Sequence, residues 1–150
     1  MDYRTLCEQA NGILEAEPWY VSALSNLSAL IMDTMADLNW AGFYLMRDGE
    51  LTVGPFQGKP ACIHIRPGKG VCGTAVITDK VQVVPDVHLF PGHIACDSAS
   101  ASEIVLPIHR DGRVCAVLDI DSPVKNRFSD EDRERLENLV RDVEKWLKWE

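Results

Sequence analysis

The segment 102-SEIVLPIHRDGRVCAVLDIDS-122 places two apolar runs on either side of Arg110-Asp111-Gly112. An Asp-Gly pair between such runs is the local signal for a tight β-hairpin, because both central residues of the turn need positive φ. The stretch therefore predicts two antiparallel strands, "SEIVLPIH" and "RVCAVLDIDS". Side chains alternate across a strand, so Asp119 and Asp121 project to one side, with Val114, Ala116, Leu118 and Ile120 on the other. Glu103, at the start of the partner strand, approaches both aspartates if the hairpin pairs around the turn. Clustered carboxylates repel, so at least one of them should hold its proton toward neutral pH and be able to donate it. The same cluster would also suit an ammonium group. A solvated strand end is the plainer alternative.

The rest of the chain extends this pattern. "NWAGFYLM" and "ELTVGPF" flank another Arg-Asp-Gly, at 47–49, and predict a second hairpin. "ACIHIR" (61–66) alternates like a strand, with Cys62 and His64 on one side. "PGKGVCGTAVIT" reads as a short helix bracketed by glycines, and "VQVVP" as a short buried strand. Helices are expected over 4–16, with Leu6, Ala10, Ile13 and Leu14 on one face, and over about 20–36, with Leu24, Leu27, Ile31 and Met35. A last helix starts at Ser129, with Asp132 three residues on as a capping box, and carries Leu136, Leu139, Val140, Val143, Trp146 and Leu147 as its stripe. This order predicts one α+β domain over 1–150: an antiparallel sheet with the N- and C-terminal helices on one face and a ligand pocket on the other.

The 150 residues suit one core, and the net charge of −8 disfavours nucleic acid and anionic membrane as partners. No apolar run approaches the roughly 20 residues of a membrane span. The acidic N-terminal stretch lacks the basic region of a signal peptide, so a cytoplasmic protein is expected. Five cysteines, at 7, 62, 72, 96 and 115, make an odd set with no CxxC pair. A disulfide framework is therefore not expected in that compartment. The spacing of 62, 64, 72, 93 and 96 fits no standard zinc pattern, so no metal is expected. Cys72 follows "GKG" at a helix start, where the positive helix end favours thiolate. Cys96 lies in the turn-rich loop "PGHIACD", between His93 and Asp97. For each of these thiols the alternative is a small buried apolar side chain, and that reading is favoured for Cys7 and Cys115. Trp40 and Tyr44 share a strand face, with Gly42 between them, and form either an aromatic wall or ordinary core.

"NWAGFY" (39–44), "ACIHI" (61–65), "GKGVCGTA" (68–75), "DVHLFPGHIACDSASASEIVLPI" (86–108) and "LDIDSP" (118–123) together resemble the free methionine-(R)-sulfoxide reductases, a family on the GAF fold. The resemblance covers nearly the whole chain. It implies a GAF-like domain that reduces free L-methionine-(R)-sulfoxide to methionine, with Cys96 as attacking thiol. It further implies a sulfenic acid on Cys96, a disulfide with Cys62 or Cys72 (Cys62 slightly preferred), and recycling by thioredoxin. Glu103 and Asp121 are the candidates for polarising or protonating the sulfoxide oxygen. Asp119 is the candidate for the substrate ammonium, and Trp40 and Tyr44 for cradling the S-methyl group. A homodimer is implied and no bound cofactor is required. Two rivals compete with this reading. A ligand-sensing domain without turnover leaves three cysteines and three acids unexplained. A zinc-stabilised interaction module is separable by metal analysis.

Overall fold

The computed structural model describes residues 3–93 and 98–150. Its elements run α1 (Tyr3–Ala16), α2 (Tyr20–Thr34), β1 (Trp40–Arg47), β2 (Glu50–Gly58), β3 (His64–Ile65), α3 (Gly70–Thr78), β4 (Gln82–Val84), a 3₁₀ turn (Val87–Leu89), β5 (Ser102–Arg110), β6 (Arg113–Ser122) and α4 (Asp130–Trp146). The strands form a six-stranded sheet in the order β3-β2-β1-β6-β5-β4, and every pairing is antiparallel. The fold is thus α+β, as the hairpin signals indicate.

Both Arg-Asp-Gly turns form as expected. Asp48 and Gly49 have φ of 52° and 81°, and Asp111 and Gly112 have 54° and 75°. Positive φ at both residues gives a turn whose twist matches that of its strands. At Gly42 the reason for glycine is different. A Cβ there would lie 2.2 Å from the Phe56 Cβ, so the close approach of β2 at the irregularity beside Gly42 excludes any side chain.

Strand alternation splits the interior into two cores. On one face, Ala41, Phe43, Ile104, Leu106, Ile108, Ala116, Leu118 and Ile120 pack against α1, α2 and α4. That face carries the main hydrophobic stabilisation, at about 25 cal/mol per Å² of apolar surface removed from water. The other face holds Trp40, Tyr44, Val105 and Val117 under Val71, Cys72 and Ala75 of α3. Here α3 props up one wall of a cavity. At α4, Ser129 accepts from the Asp132 amide and the Asp132 carboxylate accepts from the Ser129 amide, so the expected capping box is present.

Three expectations need correction. The strand over "ACIHIR" shrinks to His64–Ile65, and Cys62 lies before it. The short pairing with β2 holds two residue pairs. "VQVVP" forms the outer strand β4, whose Val83 is exposed rather than buried. Trp146 also leaves the buried stripe of α4; it is exposed beneath the Lys145 ammonium.

Candidate active site

The cavity on the α3 face is lined by Trp40 and Tyr44 of β1, Glu103 of β5, Asp119 and Asp121 of β6, Cys72 of α3, and His93 and Ser100 from the segments flanking 94–97. Pro60, Ala61, Ile65, Lys69, Gly70 and Val71 complete its wall. Of the eight expected site residues, Trp40, Tyr44, Cys72, Glu103, Asp119 and Asp121 converge here. Cys62 is half-buried and packs against the same apolar cluster. Cys96 lies outside the described residues.

The ladder explains how the acids meet. Glu103 pairs directly with Asp121, and Val105 with Asp119, while β1 runs along the other side of β6 with Trp40 opposite Asp121. Alternation then points Glu103, Asp119, Asp121, Trp40 and Tyr44 into the same space. Glu103 and Asp119 are only 7% and 5% exposed. Burial, and then the charges of Asp119 and Asp121, hold the Glu103 carboxyl well above the ordinary carboxylate range. Burial also raises Asp119, while hydrogen bonding from Glu103 and Cys72 opposes the rise. Glu103 is therefore the member of the cluster that keeps its proton, and Asp119 the better acceptor. Asp119 Oδ1 is sealed from solvent with no hydrogen-bond partner among the described residues.

Cys72 departs from the thiolate expected at a helix start. It sits in the first turn of α3, but burial and the neighbouring Asp119, Glu103 and Asp121 push its thiol well above the usual cysteine value. The sum of desolvation and three acids outweighs the helix end, which is worth at most about 2 kcal/mol. Cys72 is a protonated thiol that donates to Asp119. Cys62 is disulfide-bonded, whereas Cys7, Cys72 and Cys115 are free.

The aromatic wall is rigid. The Trp40 ring stacks on Tyr44 at 5.7 Å and on Phe56 at 5.1 Å, and Trp40 Nε1 donates to the Lys59 carbonyl at 3.1 Å. Phe56 was not singled out in the sequence; its signal was its place in β2, opposite Gly42. The Lys69–Val71 corner was missed as well. No side chain caps the start of α3, and the first amides of a helix have no partner within it. Gly70 and Val71, which open that first turn, line the cavity. "GKG" at 68–70 held that signal: Gly68 and Gly70 both take positive φ. Asn39 Nδ2 donates to Ser100 Oγ at 3.1 Å, tying the start of β1 to the segment before β5.

The chain matches the GAF domain family over residues 22–145. It is 51% identical over 145 residues to the free methionine-R-sulfoxide reductase of Escherichia coli strain K12, covering 97% of this chain and 88% of that protein. It superposes on the reduced form of fRMsr from Staphylococcus aureus with a TM-score of 0.95 and 53% identity, covering 99% of this chain and 96% of the other. It also superposes on the free methionine-R-sulfoxide reductase of Neisseria meningitidis in complex with its substrate, with a TM-score of 0.92 and 40% identity over 95% and 86% of the two chains.

Proposed function

This chain belongs to the free methionine-R-sulfoxide reductases, oxidoreductases built on a GAF domain, and from that premise we propose how its cavity binds and reduces the free amino acid. The observation that carries the reading is a trio of acids, Glu103 and Asp119 buried and Asp121 half-buried, set beside the Trp40–Tyr44 stack in a single cavity. Free methionine-R-sulfoxide offers one partner for each part. Asp119 takes the ammonium. The α3 start at Gly70 and Val71, with Lys69 beside it, takes the carboxylate, since helix N-termini favour anions. The aromatic stack takes the S-methyl group.

The Cys96 thiolate attacks the sulfoxide sulfur, and Glu103, protonated and buried, donates to the oxygen as the S–O bond weakens. Asp121 accepts from Glu103 and orients it. The hydroxyl then passes from the methionine sulfur to Cys96 Sγ as the transient bond between the two sulfurs breaks, which releases methionine and leaves Cys96 as sulfenic acid. A second thiol then displaces water to form a disulfide. Cys62 suits this role better than Cys72. Cys62 is disulfide-bonded, while Cys72 is a thiol held protonated by burial and the acids. An external dithiol of the thioredoxin kind reduces the disulfide by exchange and restores both thiols. A homodimer in the cytoplasm completes the proposal.

The test is direct. Purified protein incubated with free methionine-R-sulfoxide and dithiothreitol yields methionine, measured by amino-acid analysis. A ligand-sensing domain without turnover yields none.

A further inference from the structure

We propose that Cys72, Glu103 and Asp119 form a site for a thiophilic divalent cation of the zinc class, and that the cation excludes the amino-acid substrate from the cavity. The three residues come from α3, β5 and β6, and one ligand atom from each lies within 4.8 Å of the others. All three are buried. Bonds of about 2.0–2.3 Å from one ion would bring such atoms to roughly 3.5 Å apart, a contraction within the reach of side-chain rotation. A separate observation points to a ligand. Asp119 Oδ1 is buried without a hydrogen-bond partner among the described residues, and Asp119 lines the cavity beside Cys72 and Glu103. A buried carboxylate oxygen is costly without a partner, and a cation supplies one.

The donor set decides the ion. Binding displaces the protons that Cys72 and Glu103 hold in the free protein, and the resulting thiolate with two carboxylates suits zinc, cadmium or cobalt, whereas magnesium and calcium take oxygen donors. Three protein ligands leave a fourth position open toward the cavity. The sequence spacing does not reveal this group, because residues 72, 103 and 119 meet only through the sheet and α3. The exclusion of substrate rests on the reading of the cavity given above; the binding of the cation does not.

Cobalt is the probe, since a cobalt–thiolate bond gives a charge-transfer band in the near ultraviolet. The protein is titrated with Cys62 disulfide-bonded, as here, so that the free thiols among the described residues are Cys7, Cys72 and Cys115. The expected result is a thiolate band that saturates at one equivalent per chain and survives excess magnesium. Cys7→Ser/Cys115→Ser keeps the band. Cys72→Ser and Cys72→Ala, each confirmed as folded by circular dichroism, lose it, and Asp119→Asn weakens binding by about 10-fold or more. Absence of the band in the parent protein, or its persistence in both folded Cys72 variants, overturns the site. Suppression of the band by free methionine sulfoxide supports the exclusion. A band indifferent to saturating methionine sulfoxide overturns the exclusion while leaving the metal site standing.

Discussion

Glu103 and Asp121 face each other across the β5–β6 ladder as direct partners, inside a cavity where Glu103 is 7% exposed. Two acids opposed beside a buried third, Asp119 on the same face of β6, cannot all be ionised cheaply. The arrangement holds a proton on Glu103 well above the pH at which a free carboxyl loses it, beside the stacked aromatic wall.

Glu103→Gln should therefore separate stability from activity. The raised Glu103 carboxyl costs nothing below its unfolded value near 4.5. Its cost grows as pH rises toward the folded value, because the unfolded chain ionises first. The amide carries no such cost, so at pH 7 the variant melts higher, by roughly 2–4 °C per kcal/mol removed. It also loses the proton donor, and kcat falls by about 10²-fold or more. In the parent protein kcat declines as pH rises through the folded Glu103 value, and that limb disappears in the variant. Calorimetry and a pH–rate profile check both halves.

Asp119→Asn acts on binding. An ammonium contact contributes to ground and transition states alike, so KM rises with little change in kcat. Steady-state kinetics decide; a loss in kcat alone would exchange the roles of Asp119 and its neighbours.

Cys62→Ala should separate the two reductants. Without the resolving thiol, thioredoxin-dependent turnover falls far more than dithiothreitol-dependent turnover, since dithiothreitol can itself attack a sulfenic acid. Cys72→Ala leaves the ratio of the two rates near that of the parent. Equal losses with both reductants in Cys62→Ala would count against a resolving role.

On the far face, His109 bridges Asp79 at the end of α3 and Glu144 of α4, at 2.5 Å and 2.7 Å. Burial pulls the imidazole down, but the hydrogen bonds and charges of the two acids prevail and hold it above the ordinary histidine value. Its contribution is present in full below the unfolded value near 6.5 and is lost as pH rises through the folded one. His109→Gln should lower Tm more at pH 6 than at pH 9, in paired thermal melts. An equal effect at both values would leave the bridge without a charge.

The sequence was most informative where a local rule had no competitor. Asp-Gly turns need positive φ, so both hairpins were legible, and with them the facing of Glu103, Asp119 and Asp121. Ser129 and Asp132 fixed the start of α4 in the same way. Legibility ended where tertiary context overrode the local signal. "ACIHIR" alternates, yet only His64 and Ile65 find a partner strand. Cys72 carries a helix-start signal, yet burial against three acids reverses its consequence. The Phe56 stack and the Gly70–Val71 corner depend on which segments fold over β1, which no spacing records.

Recognition of a free amino acid is the central claim, and comparing free methionine-R-sulfoxide with its N-acetyl derivative tests it most directly. Acetylation removes the ammonium charge, leaving Asp119 unpaired, and the added group meets the buried acids. An unpaired buried polar group costs about 1–3 kcal/mol, more if charged, and 1.4 kcal/mol is about tenfold. The side-by-side measurement is kcat/KM for the two compounds under one reductant, with the free S epimer as a third substrate. The account predicts that the free R epimer exceeds the N-acetyl compound by at least about 10²-fold and that the S epimer is not reduced. Efficient reduction of the N-acetyl compound would contradict the charge recognition, and preference for the S epimer would contradict the assignment of substrate.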